Sequence, residues 1–231
     1  MTMSKFLHFM CCVAVSFFLT VIHAHAGDMS GILNKTQEAY ASMQTFRADF
    51  IQKLTQKETG TEQDRQGSIV FKKPLFVRWE TAAPNAELLL VNDREIWNYL
   101  PDEELAYRYS REIAEDSRSV IQVITGQSSL DKDFDVQNID SEKGGLLHLV
   151  LFPKEPSTEM TEVQLWIEQS SGLIRRARIM DFYGNTNDIE LVKIKAGAAV
   201  ADSDFKFTPP EGVEVEDHIE RPHPLQTKLS Q

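Results

Sequence analysis

The side chains of this sequence that could do chemistry are few and poorly grouped. Beyond residue 26 the histidines are His148, His218 and His223. His148 lies in the mostly apolar run Leu146–Phe152, where an imidazole reads as a hydrogen-bonded strand residue and not as a general base. His218 and His223 have no cysteine and no third ligand near them, so they make no zinc site. Asp131, Asp133, Asp135 and Glu142 fall at the spacing of a calcium loop. That loop turns on a glycine at its sixth position, which here is Val136, and Phe134 and Val136 alternate as in a strand. The acids therefore read as a solvated strand face. Asn34-Lys35-Thr36 matches a glycosylation acceptor but falls in a helical stretch. No Gly-x-Ser-x-Gly, His-Glu-x-x-His, phosphate-loop or dinucleotide glycine motif occurs. The sequence reads as a binding protein, not an enzyme, with no metal and no cofactor expected.

The N-terminus supplies the cellular context. Lys5 is followed by an uncharged stretch, Phe6–Ile22, with a compact apolar core at Cys11–Ile22. Ala24-His25-Ala26 is a small-x-small site, so residues 1–26 read as a cleavable signal peptide with Gly27 as the new N-terminus. Cys11 and Cys12, the two cysteines of the chain, both lie inside it. The exported protein is thus expected to lack thiols and disulfides and not to be lipidated itself. No second apolar run is long enough to span a bilayer. The net charge of the 231 residues is −11, and losing the signal removes only Lys5. An acidic chain with no basic run is a poor partner for nucleic acid or an anionic membrane surface.

The elements that follow are mostly strands. Met29, Ile32, Leu33, Thr36, Tyr40 and Met43 recur at helical steps, with Asp28 or Ser30 as caps. After Gln44 the period falls to two. Strands are expected over 46–52, 67–72, 76–81, 87–92, 95–100 and 104–109, with turns at Asn92-Asp93 and Pro101-Asp102. A second amphipathic helix, Glu112–Thr125, carries Ile113, Ser117, Val120, Ile121 and Ile124 on one face and ends at Gly126. Strands resume over 134–139, 146–152, 162–169, 173–182 and 187–195. Residues 27–216 form the expected domain, and 217–231 a flexible tail. An antiparallel sheet of that length must curl or split. If it curls, the two helices are what can cover its concave face.

The motifs of 46–101 come in a telling order. Phe46-x-Ala48-x-Phe50-x-Gln52 precedes Gly67-Ser68-Ile69-Val70-Phe71-Lys72-Lys73-Pro74. Phe76-x-x-Trp79, Glu87-Leu88-Leu89-Leu90-Val91-Asn92-Asp93 and Ile96-Trp97-x-Tyr99-x-Pro101 follow, and Phe205-x-Phe207-x-Pro209-Pro210-x-Gly212-Val213 stands near the far end. This series resembles the periplasmic outer-membrane lipoprotein carrier family, LolA, over Gly27 to about Asp217. The resemblance implies a mainly β fold: a curved, unclosed antiparallel β-barrel of about ten to eleven strands with a helical lid. It implies an apolar cavity for the acyl chains of lipidated lipoproteins. It implies a monomer in the periplasm that takes cargo from an inner-membrane lipoprotein-releasing ABC transporter and gives it to an outer-membrane lipoprotein receptor. Well-known members have Arg-Pro where this chain has Lys73-Pro74, and that arginine is associated with holding the lid. Lysine lacks the planar five-donor fork, so Lys73 is expected to latch more loosely, or Arg78 to share the role.

The lipid-binding lining is expected from Phe50, Phe71, Val77, Trp79, Leu89, Trp97, Val120, Ile121 and Ile124. Alternation alone leaves open which face of each strand is cavity and which is outer cover. Two other readings share the scaffold. One is a regulatory sensor of lipoproteins, which calls for a second domain. The other is a small-molecule enzyme, which calls for polar residues converging inside the barrel.

Overall fold

Alternation of buried with more exposed residues along β1 (Thr45–Thr55) sets the pattern for the whole sheet. The computed structural model describes residues 25–115, 119–142 and 144–219. The expected signal peptide therefore falls outside them except for its last two residues. In the first half, helix α1 (His25–Ser42) and β1 are followed by β2 (Glu62–Lys72), β3 (Phe76–Thr81), β4 (Glu87–Val91), β5 (Glu95–Leu100) and β6 (Leu105–Ser110). Two short helices come next, α2 (Val120–Ile124) and α3 (Leu130–Asp133). The chain then forms β7 (Phe134–Glu142), β8 (Leu146–Pro153), β9 (Glu162–Glu168), β10 (Ile174–Met180), β11 (Thr186–Ala196) and β12 (Glu214–His218).

All twelve strands join one sheet in the order β12-β6-β5-β4-β3-β2-β1-β11-β10-β9-β8-β7. Two antiparallel meanders, β1–β6 and β7–β11, meet where β1 pairs with β11. The outermost strands, β7 and β12, do not pair with each other, so the sheet is unclosed. One face of the sheet shares a single apolar cluster with the helices. Phe46, Phe71, Val77, Leu149, Leu165 and Ile189 of the sheet meet Ile32, Tyr40, Ile121 and Leu130 of α1, α2 and α3. A sheet this long cannot stay flat, and burying one face against short helices requires it to wrap around them.

Of the expected face of α1, Ile32, Leu33, Thr36 and Tyr40 are buried, as is Met43 just past its end, while the side chain of Met29 lies outside the described ones. The helix is already formed at His25, the first described residue, so Asp28 and Ser30 lie within it. The expected helix 112–125 is broken. A 3₁₀ turn covers Arg111–Glu115, and α2 starts afresh after Ser119, whose hydroxyl accepts the Gln122 N–H at 3.2 Å. A serine that can cap in this way favours a new start over continuation.

The C-terminal segment corrects the tail boundary and adds a strand. β12 pairs in parallel with β6, setting Asp217 opposite Arg108 and His218 opposite Tyr109. Asp217 and His218 therefore belong to the sheet, and residues 220–231 lie outside the description, His223 among them. Ahead of β12 the chain crosses the opposite face of the sheet. There Leu88, Leu90, Trp97 and Ala106 form a second cluster with Tyr99, Phe207 and Val213. Phe207 lies 5.5 Å from the Trp97 ring and 5.2 Å from Tyr99, which gives the Phe-x-Phe-x-Pro-Pro motif its structural role as a strap.

Candidate functional site

The concave face is built from alternate residues of the central strands. Cross-strand pairing puts Ile69 opposite Trp79, Phe71 opposite Val77, and Trp79 opposite Leu89. Phe50 reaches the same layer, its ring 4.7 Å from that of Trp79. Phe50, Phe71, Val77, Trp79, Leu89, Ile121 and Ile124 are all buried in this one cluster, and Val120 packs against it half-buried. Trp97 is a correction. It stands opposite Leu90, on the other face, with its Nε1 donating to Glu95 at 2.7 Å and Phe207 against its ring. Its neighbour Ile96 points inward. An aromatic within a strand carries no mark of face, and here the strap buries Trp97 on the outer face much as the helices bury Ile96 on the inner one.

The helical cover touches the sheet through apolar packing and a small set of hydrogen bonds. Lys73 Nζ donates to the Ala41 carbonyl at 2.5 Å. That carbonyl lies in the last turn of α1, where helical acceptors lack partners and a cation is favoured. Lys35 Nζ donates to the Gln169 carbonyl at 2.6 Å, and Gln37 Nε2 to Asp131 at 2.6 Å. The Gln37 bond holds the Asp131 carboxyl below its ordinary value. The Tyr40 hydroxyl accepts the Ile174 N–H at 3.2 Å. The pairing of β9 with β10 shifts register between Ile174 and Arg176. Burial pushes the Tyr40 phenol up to about 12.

Arg78 is not part of this cover. It lies on the face opposite Val77 and Trp79, paired with Glu80 at 3.0 Å and donating to the Asp204 carbonyl at 3.4 Å. Its partners belong to the strap side, because residues 77, 78 and 79 of a strand alternate in direction. The guanidinium that does serve the cover is Arg111, which sequence reasoning missed. Its Nη1 donates to the Leu75 carbonyl at 3.3 Å and to the Asn92 carbonyl, and its Nε pairs with Glu115 at 3.0 Å. Arg111 thus ties the start of the β6–α2 connection to the β2–β3 turn and to the β4–β5 turn. Its position directly after a strand is the sole signal in the sequence, and many surface arginines share it.

Between α1 and the 126–132 segment opens a cleft of about 340 Å³, lined by Gln37, Tyr40, Ala41, Lys73, Gly126 and Asp131 among others. It lies along the seam that Lys73 and Tyr40 close. Gly126 has φ +65°, and a Cβ there would come within 2.2 Å of the Tyr40 ring. A side chain at 126 would therefore hold α1 and α2 apart.

The other candidates have structural partners. His148 Nε2 lies 3.1 Å from Gln164 Oε1, and its ring stacks on Trp166 at 4.4 Å. His218 stacks on Tyr107 and Tyr109. Asp133 accepts the Ser129 N–H at 2.8 Å. Among the described residues no three His, Cys, Asp or Glu side chains group as metal ligands.

The sequence matches the family described as "Outer membrane lipoprotein carrier protein LolA" over residues 41–208. A protein of Dechloromonas aromatica named outer-membrane lipoprotein carrier protein is 26% identical over 203 residues, covering 87% of this chain and 93% of that one. A protein of the same name from Vibrio parahaemolyticus is 28% identical and covers 89% and 92%. An uncharacterized conserved protein of Thermus thermophilus shares the fold, with a TM-score of 0.54 at 14% identity over 82% of this chain and 99% of that one.

Proposed function

This chain belongs to the LolA family of outer-membrane lipoprotein carrier proteins, and from that premise we propose that it carries the acyl chains of lipoproteins across the periplasm. It takes them from an inner-membrane ABC transporter that releases lipoproteins and hands them to an outer-membrane receptor. The observation that carries the proposal is the concave apolar face under a separate helical cover, with polar bonds such as Lys73–Ala41 and Tyr40–Ile174 along the seam.

The physical demand is large. At about 0.8 kcal/mol per methylene, one long acyl chain costs on the order of 12 kcal/mol to expose to water. Apolar contact is non-directional, so a lining such as Phe50, Phe71, Val77, Trp79 and Leu89 accepts chains of different shape. Opening the cover breaks bonds each worth about 1 kcal/mol and uncovers apolar surface that the chain then fills. Cargo and cover thus compete for the same face. Directional delivery follows if the receptor favours the open state or binds the chains more tightly. Nothing in this cycle needs a covalent step, so the protein acts as a carrier and not as an enzyme. Lys73 acts as the latch, and Arg111 anchors the connection that leads into α2.

Mass spectrometry of the protein gently isolated from periplasm tests the proposal. Co-purifying triacylated lipoproteins are expected. Consistently empty protein, or recovery of a signalling partner in place of transporter and receptor, would overturn it.

A further inference from the structure

At one end of the concave face the lining turns polar. Gln52 lies two residues beyond Phe50 on β1 and pairs with Arg65 on β2. Thr81 lies two residues beyond Trp79 and pairs with Glu87 on β4, while Asn98 on β5 stands opposite Leu89. All five therefore share the face of Phe50, Trp79 and Leu89. Arg65 and Glu87 form an ion pair at 2.8 Å, with side chains 7% and 5% exposed. Gln52, Thr81, Glu87 and Asn98 are all more than nine-tenths buried.

Six buried side-chain atoms among the described residues have no hydrogen-bond partner, and five of them are here. They are Gln52 Oε1, Trp79 Nε1, Thr81 Oγ1, Glu87 Oε1 and Asn98 Oδ1. Folded proteins leave few such atoms, and apolar residues of similar shape would cost less at these positions. On the adjacent strands β3, β4 and β5, Thr81 stands directly opposite Glu87, and Trp79 and Asn98 are diagonal to Glu87, spacings of about 5–8 Å that let these four converge on one small group. The atoms also specify the chemistry of that group. Glu87 and Asn98 present acceptors, so the group must donate. The indole N–H of Trp79 is a donor, so the group must also accept. An ester offers acceptors alone, and a carboxylate would face Glu87. A secondary amide supplies one N–H and one carbonyl.

We infer that this patch is a polar subsite on the concave face for an amide-linked acyl chain, with the amide between Trp79, Thr81, Glu87 and Asn98. The inference rests on the carrier reading and adds to it a point of recognition that apolar contact lacks. The chain attached to the amide lies along Phe50 and Phe71. The subsite is far from the latch: Gln52 is six residues along β1 from Phe46, roughly 20 Å at strand rise, and Phe46 pairs with Phe71 close to Lys73.

The test is displacement of an apolar fluorescent dye from the full-length protein by two probes of equal chain length, N-methylhexadecanamide and methyl hexadecanoate. The wild type is expected to bind the amide about tenfold more tightly, the worth of roughly one well-made hydrogen bond. In Thr81→Val/Asn98→Leu, and separately in Trp79→Phe, the two probes are expected to bind within about twofold of each other. Because the wild-type ratio decides by itself, a variant that failed to fold would leave the outcome intact. Equal binding of both probes by the wild type overturns the subsite and leaves the carrier reading standing. Failure of both probes to displace the dye overturns the two together.

Discussion

Replacing Tyr40 by phenylalanine probes the seam between α1 and the sheet at a single atom. The hydroxyl accepts the Ile174 N–H at 3.2 Å, and both residues are buried. Tyr40→Phe keeps the ring against Gly126 but leaves that N–H without a partner, a loss of about 1–3 kcal/mol. The same atom makes a pH signature. Burial raises the folded pKa from 10.0 to about 12. The unfolded chain therefore loses this proton near pH 10, while the folded protein holds it to about 12. Below pH 10 both states are protonated and the group's contribution is fully present. Between pH 10 and about 12 the folded state loses about 1.4 kcal/mol per pH unit from this group. Tyr40→Phe lacks that loss, and the other titrating groups cancel in the difference between the two proteins. Urea unfolding followed by tryptophan fluorescence should show the wild type more stable at pH 8, with the gap narrowed by about 1.4 kcal/mol at pH 11. Amide exchange at Ile174 should quicken in the variant at neutral pH. A gap that stays constant from pH 8 to pH 11 would refute the reasoning, since it would mean that Tyr40 ionises as readily when folded as when unfolded.

Other perturbations separate the two faces and the latch. A photo-crosslinking residue at Trp79 should capture acyl chains while one at Trp97 should not, because Trp97 faces the strap; capture at both would dissolve the face assignment. Lys73→Arg should slow cargo release to a purified acceptor, and Lys73→Ala should speed it, since the bond to the Ala41 carbonyl is lost; unchanged rates in both would remove Lys73 as latch. Gly126→Ala should cost about 1 kcal/mol or more for the left-handed backbone, and should raise dye binding by holding α1 off α2. Unaltered thermal stability and dye binding would show that the Tyr40 ring moves aside freely.

Much of the strand plan was legible because period-two alternation is a local property. Phe76–Thr81 and Glu95–Leu100 appear in the structure with the bounds expected from sequence. β12 was illegible, because Glu214–His218 is largely exposed and carries little apolar alternation to betray its pairing with β6. The break in helix 112–125 turned on a capping hydroxyl at Ser119, which weighs little against an amphipathic pattern that continues across it. The polar subsite was hidden for a related reason. Gln52, Arg65, Thr81, Glu87 and Asn98 come from five strands and look like ordinary polar residues until the sheet sets them side by side.

The sequence by itself determined α1 and the order of β1 to β11, the family motifs of 46–101 and 205–213, and a set of apolar residues of which all but Trp97 meet on one face. Those are consequences of local periodicity and of residue types a reader can see in a row. Tertiary structure alone decided which face each strand turns inward, and so moved Trp97 to the strap and Arg78 away from the cover. It also decided that Arg111 reaches the carbonyls of Leu75 and Asn92. The physical reason is common to all three. A strand has two chemically equivalent faces, and a long cationic side chain has many carbonyls within reach, so long-range packing of helices, sheet and strap selects among choices the local chain leaves degenerate.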